Sequence, residues 1–459
     1  MNECPSAGKG TQGFNLLNIR PVRAFVVWRG FPAVFQVLVL ALFVALAVIG
    51  WGYHTPPGIN AKLYAKTNIV NLLIWGLWWP AIVWVTFWLG RAWCIVCPLE
   101  LVSSQAETVG RKLGLQQKPL GGWLAQGSLV IMFFAFLQLL VPGVQIHRVP
   151  HYTSLFLWIS LAMAFAVGLF LRDRAFCRGF CPVALLLSAY GRGGILAVRS
   201  ADCSASHTRA CLSLLNPIRL NTSKDCLICG DCIKADTTGT MQLLLRAPYP
   251  RADAHEPVAS WPLTLFVMIV SGFVTYELCG VWKAADPVFA WVPEQVIQAL
   301  KAGAIAGWIK GLWIVLIVPL LIWLVLGVMA LALGAGQSLG DAWRRLALPL
   351  AVVVAAGHMA KALEKFSSWA GFLPYALAEP SGVQTATKMN AKLLPQPSAL
   401  LSPVALAVIC LALLTVAIGL ALREACLADP EKGRARFIPV LLLGSFYFFL
   451  VFGWGGWLK

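Results

Sequence analysis

The sequence predicts an all-α integral membrane protein of about nine transmembrane helices with one small, cysteine-rich insert outside the bilayer. Three observations carry this. Of 459 residues, 59% are hydrophobic and only 12% charged, where soluble domains hold roughly 45–50% and about 25%. The apolar residues gather into stretches long enough to cross about 30 Å of hydrocarbon. The cysteines crowd into one polar loop and the span ends before it. The 20 Trp and 24 Phe suit the aromatic belts where helices meet the membrane interfaces. A net charge of +17 raises nucleic acid as a partner. The basic residues, however, lie between apolar spans and not on one soluble face, which excludes it.

The elements follow in order. Residues 1–30 are polar and basic and read as a cytosolic N-terminal segment with no cleavable signal peptide. Apolar spans run at 31–52, 68–89, 124–142, 154–171, 261–282, 308–334, 346–363, 399–422 and 437–457. Threading these with the N-terminus inside puts 25 of the 36 basic residues on the inner side. That asymmetry predicts a multi-pass protein of the bacterial inner membrane, N-terminus cytoplasmic and C-terminus periplasmic. The chain divides into residues 1–30, two duplicated helix pairs over 31–182, a cytosolic module over 183–260, and a bundle of five helices over 261–459.

The duplication is legible in two motifs. The second span closes on Gly90-Arg91-Ala92-Trp93-Cys94-Ile95-Val96-Cys97-Pro98. The fourth closes on Arg174-Ala175-Phe176-Cys177-Arg178-Gly179-Phe180-Cys181-Pro182. Each is an Arg-Ala-aromatic-Cys run ending in Cys-Pro, at the same end of the second helix of a pair. Proline stops each motif, since it lacks the N–H and fixes its own φ. Cys94, Cys97, Cys177 and Cys181 are therefore expected to converge on one membrane face as a second redox centre, either a cluster or dithiol/disulfide pairs. Arg91, Arg174 and Arg178 are expected to favour their thiolates. Cysteines on a reducing face point to metal or redox chemistry rather than structural disulfides.

Within 183–260 stands Cys226-Leu227-Ile228-Cys229-Gly230-Asp231-Cys232. Three thiols in one seven-residue turn suit a corner of a cubane iron–sulfur cluster, with Gly230 easing the tight path. Zinc is the rival metal, but its sites more often divide the ligands between two knuckles. The insert thus reads as a small ferredoxin-like iron–sulfur module. In the bacterial ferredoxin run the fourth cysteine serves the other cluster; here that position is Asp236. The fourth ligand is expected from upstream, with Cys211 first and Cys203 its substitute, giving one 4Fe–4S cluster and leaving Asp236 unligated.

These motifs resemble the NapH/NosR-type membrane ferredoxins and, more distantly, the copper-oxidase assembly factor CcoG. The resemblance covers residues from about 20 to 250 and rests on Gly90-Arg91 with Cys94-x2-Cys97-Pro98, on Cys177-x3-Cys181-Pro182 and on Cys226-x2-Cys229-x2-Cys232. It departs from the family in its two-residue first spacer and its incomplete cysteine set. It implies a membrane-bound electron-transfer protein, a subunit of an oxidoreductase system. Electrons would pass from the quinol pool or a cytosolic donor to a periplasmic redox protein such as a cytochrome c. The CcoG likeness implies an alternative, a redox assembly factor that reduces a metal ion or disulfide for another enzyme. A redox-sensing transporter ranks behind both, because the repeat is parallel rather than inverted.

Histidine is the remaining place for a cofactor. His54, His147 and His151 fall in outer loops, and His358 in the seventh span is followed by Lys361 and Lys365. Ionisable groups at membrane depth are functional candidates by default. His358, Lys361, His54, His147 and His151 are the candidates for a quinol or haem site. The competing reading makes the loop histidines solvated and His358 a snorkelling interfacial residue. No Cys-x-x-Cys-His is present, so covalent haem is excluded. Cys4, Cys279, Cys410 and Cys426 are read as non-functional.

Overall fold

The computed structural model describes residues 13–125, 127–201, 211 and 215–457. Cys4 and Cys203 lie outside these. Seven helical runs among the described residues are long and apolar enough to cross a membrane: Ile69–Lys112, Pro150–Phe170, Trp261–Cys279, Gly303–Ala332, Leu339–Ala370, Pro403–Ala428 and Gly433–Trp454. The chain is a multi-pass membrane protein. The first and third spans of the sequence reading form shorter apolar helices, Ala33–Ile49 of 17 residues and Ser128–Gly143 of 16. At 1.5 Å per residue these reach about 24–26 Å, less than the hydrocarbon thickness.

The described residues form two compact units, neither of which follows the four sequential segments. One comprises those within Met1–Phe43, Trp84–Val130 and Ile159–His255; the other those within Val44–Val83, Ile131–Trp158 and Glu256–Lys459.

The first unit carries the insert. Its sheet has three antiparallel strands, β1 (Phe14–Asn15), β2 (Leu196–Ser200) and β3 (Met241–Leu245), in the order β1-β3-β2. Leu196 pairs with Leu245 and Ser200 with Met241. The Ala201 N–H donates to the Thr240 carbonyl at 2.9 Å, so the cysteine-bearing segment leaves and returns at one point. Val26, Val198, Ile228, Ile233, Met241 and Leu243 form the small core beneath it, with Cys226 and Cys232 packed against them.

In the second unit Leu339–Ala370 is the central helix, packed by Trp261–Cys279, Val318–Ala332, Pro403–Ala428 and Phe437–Trp454. Its apolar window is 89% buried against 33% for that of Pro403–Ala428, so the former fills the bundle and the latter faces lipid. Gly357 makes the packing close. A Cβ there would lie 2.8 Å from Val274 and 2.9 Å from the Tyr447 ring, the small-residue contact that membrane helices favour. Buried polar groups bond between helices: Tyr447 Oη donates to the Ser271 carbonyl (2.9 Å) and Trp323 Nε1 to Ser271 Oγ (3.0 Å).

Candidate functional site

The first Cys-Pro motif begins where the Trp79–Leu89 helix stops at Gly90, whose φ of +69° turns the chain into a 3₁₀ turn over Gly90–Ile95. Two further glycines close on it. A Cβ on Gly191 would stand 3.0 Å from Gly90 Cα, and one on Gly194 2.8 Å from Gly90 N. Only glycine permits this approach. Cys94 is buried in the turn, and Cys97 caps the helix Pro98–Lys112, with proline at its favoured first position. The second motif enters through Asp173 and Arg174, both left-handed (φ +66° and +54°), and sets Cys177 on the short helix Ala175–Gly179.

The two motifs thus reach their thiols by different local structure, yet the structure brings Cys94, Cys97, Cys177 and Cys181 together as mutual neighbours. Arg174 acts on Cys177 and Arg91 on Cys181 in the expected direction, against a larger effect of burial. Burial first, then Cys97 and Cys94, push the Cys177 thiol well up; burial, then Cys177 and Cys94, push Cys181 up to about 12. Arg174 and Arg91 oppose this but do not prevail, because desolvation and like-charge repulsion act together.

In the insert, Cys226, Cys229 and Cys232 wrap a turn that holds Ile228 at φ +56° and Gly230 at +79°. A left-handed β-branched residue is a strained one. Cys211 is a neighbour of both Cys226 and Cys232, so it joins the three. Burial, then Cys226 and Cys211, push Cys232 up to about 12. Asp236 is otherwise engaged. Its Oδ1 accepts from the Thr238 N–H (2.9 Å), Thr238 Oγ1 (2.7 Å) and the Gly239 N–H (3.1 Å), and its Oδ2 from the Met241 N–H (2.6 Å). Desolvation would raise its carboxyl, but these bonds hold it down at about 2.

Charged residues surround both groups, several of them outside the motifs. Glu100, three residues after Cys97, is buried and accepts from Gln36 Nε2 and from Arg174, three residues before Cys177. Each motif supplies one end of this buried ion pair. Arg91 Nη1 reaches Asp225 Oδ1 at 3.3 Å and Ser188 Oγ at 3.5 Å. Arg199 and Arg246 both donate to Asp253, at 2.9 and 2.6 Å, clamping the end of the insert. A cavity of about 500 Å³ is lined by Cys94, Cys211 and Cys229 with Glu100, Arg174 and Asp231. Glu100 and Asp225 carry one sequence signal: each lies within three residues of a motif cysteine.

Among the described residues, no three His, Cys, Asp or Glu side chains close around a single metal ion. One local feature would suit thiolate ligands. At Cys97, Cys181, Cys226 and Cys229 the backbone N–H two residues on faces the sulfur. Such donors stabilise thiolate ligands and tune their clusters.

The histidines separate into two places. His54 and His151 stack with ring centroids 4.8 Å apart, and His151 Nδ1 accepts from the Gly52 N–H (3.1 Å). His151 opens the Pro150–Phe170 helix and is not in a loop. His147 and His358 instead line a cavity of about 50 Å³ with Gln138, Glu277, Lys361 and Lys365. His358 does not snorkel: it is 5% exposed, between the rings of Trp79 and Phe273. Burial and then Lys365 and Arg148 hold the His147 imidazole well below its usual range, so it is neutral. Lys361 Nζ bridges Glu277 (3.4 Å) and Glu364 (2.8 Å). Gln138 Oε1 and His147 Nδ1 are buried without a hydrogen-bond partner among the described residues. This space takes a few waters and is far too small for a haem, so the haem reading does not fit here.

No protein-family model, no curated protein and no solved structure matches this chain. The resemblance read from the motifs therefore stands on those residues alone.

Proposed function

We propose that the protein is a membrane electron-transfer component holding two iron–sulfur clusters, one at Cys94, Cys97, Cys177 and Cys181 and one at Cys211, Cys226, Cys229 and Cys232. The observation that carries this is the gathering of eight cysteines into two groups of four, with the buried Arg91 beside Cys94, Cys177 and Cys181 of one and Cys226 of the other. A bound cubane supplies one-electron chemistry at a potential tuned by its surroundings. The chain's own residues do the rest. The Gly90, Gly191 and Gly194 contact sets Arg91 among the thiols, Glu100 and Arg174 tie the two motifs, and the strained turn at Ile228 aims three sulfurs inward. Buried thiols that repel one another as anions gain when a cationic centre takes their protons' place.

On this reading all nine apolar helices cross, with polar flanks completing the two short ones. The insert is a ferredoxin-like module on the cytoplasmic side, and the electron acceptor lies across the membrane. The donor is the quinol pool or a cytosolic protein, and the acceptor a periplasmic redox protein such as a cytochrome c. The assembly-factor reading needs an accessible dithiol, which the buried Cys94 does not favour. The test is an iron and acid-labile sulfide count with EPR of the anaerobically purified, dithionite-reduced chain. Two cubanes give about eight iron atoms per chain and two interacting signals. Stoichiometric zinc, or iron-free protein after anaerobic reconstitution, would sink the proposal. Reporter fusions after Gly239 and at the C-terminus test the orientation.

A further inference from the structure

We infer that Arg91 is the shared counter-ion of both cysteine groups, so that its one charge sets the reduction potentials of both centres and couples them. This rests on the function proposed above. Two arginines face thiols of both groups. Arg174 lies beside Cys177 and Cys229, and Arg91 beside Cys94, Cys177, Cys181 and Cys226. Their partners differ. Arg174 is paired with Glu100, a carboxylate as buried as itself, with side chains 10% and 5% exposed. Arg91 has a 9% exposed side chain, and its partner Asp225 is 49% exposed. Asp225 is half exposed and partly screened by water, so it offsets the buried Arg91 charge only in part. Arg199, the other cation beside Cys226, acts on the insert alone and shares Asp253 with Arg246.

The geometry makes Arg91 a connector as well as a charge. It follows Gly90, whose backbone is held by the close approach of Gly191 and Gly194. Its Nη1 holds Asp225, the residue before Cys226, while its own backbone lies three residues before Cys94. Its Nε is buried with no hydrogen-bond partner among the described residues. An added electron on either centre is stabilised by this cation, and the electron on one side weakens what the cation offers the other. The two centres then titrate as an interacting pair rather than independently.

The experiment is an anaerobic, EPR-monitored redox titration of the full chain, with iron content measured on each sample. Wild type is compared with Arg91→Gln, Arg91→Lys and Asp225→Asn. Removing the charge should make reduction about tenfold harder at both centres, roughly a 59 mV fall for one electron. Arg91→Lys should stay near wild type, and Asp225→Asn should raise both potentials at unchanged iron content. A shift confined to one centre in Arg91→Gln overturns the shared role, as does an equal fall in Arg91→Lys. If Arg91→Gln loses its iron, Asp225→Asn decides: unmoved potentials overturn the inference. Wild type with one signal or none contradicts the two-centre function itself and is read from the iron count before any variant.

Discussion

The cysteine groups of the first unit and the ion cluster of the second both bury ionisable side chains, but they balance them in opposite ways. Around Lys361 the charges offset one another within the protein. Lys361 lies between Glu277 and Glu364 with Lys365 lining the same cavity, on a regular helix that needs no unusual backbone. Around the cysteines the acids outnumber the cations. Four acids are held close enough to suppress one another's ionisation, and the positions depend on left-handed backbone at Gly90, Asp173, Arg174 and Ile228. Self-neutralised clusters are what a fold needs to survive in lipid. Acids gathered in excess of their cations, at strained positions, are what a fold keeps when something else binds there.

The sharpest break of this contrast is a ligand loss. Cys181→Ser should drop the iron content from about eight to about four atoms per chain while the insert keeps its EPR signal. Cys211→Ala should do the reverse, losing the insert's signal or converting it to a three-iron form. Retention of all iron in either variant would show that the thiol contributes packing alone. Both proteins should still insert and purify.

Next is Lys361→Met, which leaves Glu277 and Glu364 facing each other without their cation. Breaking a buried pair at one partner costs about 3–5 kcal/mol, read as a lower melting temperature in detergent. The iron count should not change. An unchanged melting temperature would mean that water, and not Lys361, compensates the two glutamates.

Gly194→Ala probes the packing that sets Arg91. The added methyl meets the Gly90 backbone at 2.8 Å, and such overpacking costs about 1–3 kcal/mol. Here the potentials should move together with stability. Stability lost with potentials unmoved would separate the glycine contact from the placement of the arginine.

The smallest effect belongs to Asp236. Its folded carboxyl sits at about 2, below the unfolded value near 3.9. Its contribution is therefore present above pH about 4 and lost as pH falls toward 2. The group is only partly buried, so screening leaves about 1 kcal/mol or less. Asp236→Ala should lower stability by that amount at neutral pH, by nothing near pH 2, and leave the cluster signal intact. Loss of the signal would make Asp236 a ligand and move the fourth position back to the second run.

Much of this molecule was legible from sequence because the relevant signals are local. A stretch of apolar residues declares a membrane helix wherever it packs. Cys94-x2-Cys97-Pro98 and Cys226-x2-Cys229-x2-Cys232 stand out by their spacing, and the upstream cysteine singled out with them, Cys211, lies near Cys226 and Cys232. What stayed hidden depends on approach between distant segments. Glu100 with Arg174 and Gln36, Asp225 with Arg91, and Glu277 with Lys361 are lone charges in sequence, and no period ties them to their partners. Burial is hidden in the same way. The arginines favour the thiolates as their sequence positions suggest, but the opposing desolvation comes only from the packed structure. The histidines make the same point, since His54, His147 and His151 look alike in sequence. Tertiary packing alone sends His147 to the cavity beside His358 and stacks the other two elsewhere, because which helix faces align is decided by side-chain volume across the bundle.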